Sequence, residues 1–98
     1  MKRLVKAAIT YKGNIFTGWR HCEIGIAMVK NGDCPRPYPY NPYQGFVDEE
    51  GEFIYRDYAY EIAVEAGQVI AGETHQEGYL FSEDVWDVNG NPKIKTGS

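Results

Sequence analysis

Two patterns of hydrophobic and polar residues follow one another twice along the chain. Lys6 to Tyr11 and Ile15 to Thr17 are short β-rich runs on either side of Lys12-Gly13-Asn14. A Gly-Asn turn between such runs predicts a hairpin. Gly18 breaks the second run, and the period then changes. From Arg20 to Lys30 the apolar residues are Ile24, Ala27 and Met28, with Cys22, Ile26 and Val29 on an adjoining face. This is helical spacing with a broad apolar surface, as a well-buried helix has. Asn31-Gly32-Asp33 supplies its stop.

The second unit runs from Tyr43 to Val47, through a turn at Asp48 to Gly51, to a strand over Glu52 to Tyr55. A helix is expected from about Asp57, a suitable N-cap, with Ala59, Ile62, Ala63 and Ala66 as its apolar stripe. Gly67 fits the left-handed position that closes a helix. At an offset of 38, Gly13 matches Gly51, Ile15 matches Phe53, Phe16 matches Ile54, Glu23 matches Glu61 and Ile24 matches Ile62. The expected fold is therefore α+β in one domain over residues 1–88. It is a small, largely antiparallel sheet of four to five strands with two helices, arranged as two hairpin-helix halves.

Between the halves, four prolines alternate with Tyr and Arg, so residues 35–42 read as an extended connector. Gln68 to Ala71 reads as a short strand or a return to the sheet. Tyr79 to Trp86 reads as an edge strand or one helical turn, and residues 89–98 as a flexible tail.

Composition narrows the function classes. The chain has 98 residues, too few for two ordinary domains. Two cysteines exclude a disulfide-dense scaffold. No apolar run approaches a membrane span and no leader pattern opens the chain, so a cytosolic protein is expected. A net charge of −4 gives no general attraction to long nucleic acid. Fourteen aromatic residues, eight of them Tyr, exceed what so small a core hides, so an interface or pocket should take some, and self-association is expected.

Chemistry-bearing residues are sparse. His21, Cys22, Cys34 and His75 lack the paired spacing of a zinc site. Cys22 with His21 or His75, oriented by Asp84, is a conceivable nucleophile pair, yet no nucleophile turn or phosphate loop accompanies it. The chain is expected to be no enzyme and to carry no cofactor. The arginines are more telling. Arg20 and Arg56 each stand where a strand gives way to a helix, at the positive end of a helix dipole. A cation there becomes favourable when an anion shares the site with it and the free N–H groups. The alternative is local ion pairing, Arg56 with Glu52 or Asp57 and Arg20 with Glu23. Trp19 abuts Arg20, Tyr55 precedes Arg56 and Phe46 follows Gln44-Gly45, and each could stack on a base. Ser82-Glu83-Asp84 could cap a helical turn or accept hydrogen bonds from ribose hydroxyls.

The order of four motifs resembles a known family. The runs are Ala8 to His21, Gln44 to Arg56, Ile62 to Gln68 and Leu80 to Asp84, together spanning residues 4–86 apart from the proline segment. They are similar to the first anti-Thoeris family, phage sponges that bind cyclic ADP-ribose isomers made by bacterial TIR defence enzymes. The resemblance implies sequestration of the signal without cleavage, in the host cytoplasm, by a homo-oligomer with pockets at subunit interfaces. Carried over by motif position are Arg20, His21, Gln44, Phe46, Arg56, Ser82 and Asp84, and Trp19 joins them from its place beside Arg20. In this reading Arg20 and Arg56 hold phosphates, Phe46 or Trp19 stacks on adenine, and polar groups near Asp84 read ribose. The segment Cys34 to Tyr43 and the bulky Tyr58 and Tyr60 depart from the family pattern. The competing expectation is a phage inhibitor that contacts a host protein through the Pro-Tyr segment and the acidic turn at Asp48 to Glu52.

Overall fold

In the computed structural model, residues 2–38 and 43–94 are described. Leu4–Tyr11 (β1) and Asn14–Gly18 (β2) form the first hairpin, and His21–Lys30 (α1) follows it. Gln44–Asp48 (β3) and Phe53–Tyr55 (β4) form the second, followed by Arg56–Glu65 (α2) and a single turn, Ser82–Val85 (α3). The hairpins join through their first strands, so the sheet order is β2-β1-β3-β4 and every pairing is antiparallel. Two like hairpins joined in this way are related by an approximate two-fold axis normal to the sheet. The result is the expected α+β domain with four strands, and its radius of gyration of 13.1 Å is ordinary for one domain of this length.

Local chemistry explains each element. Lys12 and Gly13 both have positive φ, the two-residue hairpin turn whose twist matches its strands. At the other hairpin Asp48 is buried, and its Oδ1 accepts from the N–H groups of Glu50 (2.9 Å) and Glu52 (3.0 Å). Asp48 therefore builds the turn, while Glu49, Glu50 and Glu52 face solvent. Between Leu4 and Lys6 a β-bulge shifts the register. It restores Leu4 to the face that carries Ala7 and Ile9, and all three enter the core.

Both long helices end alike. Gly32 and Gly67 take the left-handed conformation, and Asp33 and Gln68 donate N–H to Met28 and Ala63, each at 2.8 Å. The helices thus repeat at an offset of 35, although the hairpin turns repeat at 38, because β4 runs into α2 without the linker that separates β2 from α1. His21 corresponds to Arg56, Ile24 to Ala59 and Met28 to Ala63, replacing the match of Ile24 with Ile62. For the same reason the expected N-cap, Asp57, lies inside the first turn of α2, and Tyr55 is the cap residue.

One cluster buries the helices on one face of the sheet, through Ile24, Met28, Ala59 and Ile62 against Ile9 and Phe46. Phe53 and Tyr55 lie on the opposite face with Ile15, and Ile15 is 44% and Tyr55 55% exposed. No helix among the described residues is long and apolar enough to cross a membrane.

Beyond α2 the chain returns to the sheet through a side chain and forms no strand. The Leu4 N–H donates to Gln68 Oε1 and Gln68 Nε2 donates to the Leu4 carbonyl, both at 2.8 Å. Tyr79 to Trp86 resolves into the helical turn α3. At the start of the segment read as a tail, Asp87 Oδ1 accepts from the N–H groups of Asn89 and Asn91, Trp86 bridges to Pro92 and the Lys93 N–H donates to the Val85 carbonyl, so the chain turns back there. Residues 95–98, and 39–42 of the expected connector, lie outside the described residues. Ahead of them Cys34 enters the core and Tyr38 packs against it.

Replacing Gln68 by Ala leaves the N–H and C=O of Leu4 without partners in a buried setting. Urea unfolding should show a loss of about 2–3 kcal/mol with an unchanged slope.

Candidate functional site

The pseudo-two-fold brings the starts of α1 and α2 together over the middle of the sheet. His21 opens α1 and Arg56 opens α2. The Nε2 of His21 lies 2.7 Å from the Gly45 carbonyl, and its Nδ1 lies 3.1 Å from Arg56 Nη2. A carbonyl only accepts and a guanidinium only donates, so the ring is the neutral tautomer with its proton on Nε2. Burial and the adjacent Arg56 charge push the His21 pKa down to about 4, against the raising effect of the Gly45 bond.

Arg56 is 7% exposed. Its Nη2 also donates to Gln44 Oε1 (2.6 Å) and its Nη1 to the Leu80 carbonyl (2.8 Å), while the Leu80 N–H returns a bond to the Arg56 carbonyl (3.2 Å). Tyr79 and Phe81 place their rings 5.3 and 5.2 Å from the guanidinium carbon. The buried Nε has no hydrogen-bond partner among the described residues. Burial lowers the Arg56 pKa, partly opposed by Tyr79, and the guanidinium remains charged. No carboxylate lies within 4.0 Å of Arg56 or Arg20 among the described residues, so the alternative pairs with Glu52, Asp57 and Glu23 do not form. A buried cation surrounded by dipoles and ring faces, where two helix N-termini converge, makes a focus of positive potential.

The other expected residues divide among three roles. Phe46 is 0% exposed, with its ring centre 5.3 Å from His21 and 6.0 Å from Trp86. It is the floor beneath His21 and has no open face for adenine, because its strand position points into the core. Trp19 is half-buried, wedged between Lys6 and Trp86, with Gly90 against it. Arg20 donates Nη1 to the carbonyls of Trp86 (2.8 Å) and Trp19 (3.2 Å), tying α3 to the start of α1. Asp84 turns inward as a cap, its Oδ2 accepting from the Phe81 N–H (3.2 Å) and its Oδ1 from the His75 N–H (3.1 Å) and ring (2.7 Å). Ser82 is buried at the start of the same turn. These bonds engage the Asp84 carboxylate that ribose hydroxyls were expected to meet. The His75–Asp84 pair forms, but Cys22 makes no hydrogen bond with either histidine.

Tyr79 and Phe81 were missed by the sequence reading. Their signal is the spacing of two, which sets both rings on one side of an extended segment.

The two histidines respond oppositely to pH. Between pH 6.5 and about 4 the unfolded chain binds a proton that folded His21 refuses, so stability falls as pH falls through that window. His75, exposed and hydrogen-bonded to Asp84, has a raised pKa, and its contribution is lost as pH rises through that value. Urea unfolding of wild type and His21→Gln should therefore differ progressively less in wild type's favour from pH 6.5 down to pH 4, by about 3 kcal/mol in total. A constant difference would show that His21 is not held neutral.

The family model described as "Phage T4 y16D protein" matches residues 3–86, from the opening of the sheet to the end of α3. No curated protein and no solved structure matches the chain. The match takes in both hairpins, both long helices and every residue of the Arg56 site, and the chain belongs to the phage T4 y16D protein family.

Proposed function

We propose that this phage-family protein binds and sequesters a cyclic ADP-ribose-type nucleotide signal without cleaving it, with a phosphate drawn to the focus at Arg56. The observation that carries the reading is the Arg56 guanidinium itself. It is buried, has no carboxylate partner and keeps its buried Nε–H without an acceptor among the described residues, and stands where two ten-residue helices begin. An anion satisfies that arrangement better than any group the described protein supplies. Arg20, one residue ahead of His21, supplies a second cation at the same helix start. The order of motifs shared with the anti-Thoeris sponges supports the nucleotide class, and the phage family is consistent with a role against host defence.

Sequestration rather than turnover is supported by how the histidines are engaged. His21 is held between a carbonyl and a guanidinium, and His75 is bonded to the Asp84 cap. Assembly through subunit contacts is supported by the apolar and aromatic side chains left in water, Ile15, Tyr55 and Tyr58. The same exposed residues favour a second reading, direct contact with a host defence protein.

The test is thermal unfolding against a nucleotide panel that includes cyclic ADP-ribose and its isomers, followed by mass spectrometry of whatever heated protein releases. A tight ligand raises the midpoint by mass action. Intact nucleotide after heating supports the sponge, and altered product makes the protein an enzyme. A midpoint unmoved by every nucleotide removes the reading and leaves protein contact. Arg56→Lys keeps the charge but loses the planar fork, and should weaken a bound nucleotide by about tenfold or more.

A further inference from the structure

Beyond His21, from about 7 to 14 Å along α1, the chain forms a recess separate from the Arg56 site. Gly25 is the reason. A Cβ at this position would collide with the ring of Tyr38, so only glycine lets that ring lie on the helix backbone. The segment before Tyr38 then stands beside the helix and leaves a groove of about 760 Å³ lined by Ile26, Val29, Lys30, Arg36, Pro37 and Tyr38. A drug-sized ligand occupies roughly 300–1,000 Å³.

Four of these side chains present hydrocarbon or an aromatic ring, and Ile26 is 61% exposed on a helix whose core face lies elsewhere. The remaining two are cations. Lys30 suits the C-terminal end of α1 without any ligand. Arg36 is exposed and makes no hydrogen bond and no ion pair among the described residues, so its guanidinium is free to meet a ligand. Among the described residues no acidic side chain lines the groove, although the chain as a whole carries a net charge of −4. We infer that this groove binds a small amphipathic organic anion, an aryl or alkyl body ending in a carboxylate, sulfonate or phosphate, with the body against Ile26, Val29 and Tyr38 and the anionic end between Lys30 and Arg36. Apolar walls select the body by burial, and the paired cations select the sign of the head group.

The probe is anilinonaphthalenesulfonate, titrated by fluorescence into the whole protein, with uncharged phenylnaphthylamine as the control and dodecanoate as competitor. One saturable site per chain is expected, displaced by dodecanoate. The double variant Lys30→Gln, Arg36→Gln, altered only at exposed positions, should lose about tenfold in affinity for the sulfonate and keep its affinity for the neutral dye. Equal sulfonate affinity in wild type and the double variant, or the absence of a saturable site, overturns the proposal. None of these results bears on nucleotide binding at Arg56, which the thermal panel reads separately.

Discussion

The hydrogen bond from Arg56 to His21 joins the two halves of the molecule at their shared centre. Each half places a helix start over the sheet, and the first residue of one start meets the first residue of the other. Two helix N-termini repel one another, and a guanidinium between them adds to that repulsion. The arrangement holds because His21 stays neutral. It relays the Arg56 donor to the Gly45 carbonyl through a ring that accepts on one nitrogen and donates from the other. A protonated imidazole has no lone pair to offer Arg56, and burial, which disfavours the charged form, and the neighbouring Arg56 charge both depress its pKa.

Around that centre the loop after α2 closes a partial shell. Leu80 exchanges backbone and side-chain bonds with Arg56, and Tyr79 and Phe81 face the guanidinium. The loop is fixed in turn by α3, whose Asp84 caps its own turn and binds His75, and by Arg20, which grips the Trp86 carbonyl. Both arginines at helix starts therefore do structural work through carbonyls. They differ in what is left over, because Arg56 retains a buried donor and a charge that no carboxylate among the described residues offsets. The anion site proposed for it follows from that remainder.

Much of this is legible in the sequence. Arg20 and Arg56 were singled out for their positions at strand-to-helix junctions, and the structure places both there. His21 and Gln44, carried over from a motif pattern, both bond to Arg56. The motif pattern marks Phe46 and Asp84 as ligand contacts, whereas in the structure both turn inward. A Phe beside a glycine looks the same in sequence whether its face of the strand meets a ligand or the core. An acid in a Ser-Glu-Asp run gives no sign of whether a nearby N–H will claim it.

From the chain alone came the hairpins, the two long helices and their ends, because these depend on residues within a few positions of one another. Positive φ at Gly13, Gly51, Gly32 and Gly67 and the change of hydrophobic period are local facts. The joining of the halves through β1 and β3, and the fate of the Arg56 charge, belong to tertiary structure only. The partners of that guanidinium lie 12, 24 and 35 residues away in sequence. Local preference carries no information over such distances. Packing the two apolar faces into one core brought those groups together and removed the water that would otherwise have solvated the charge.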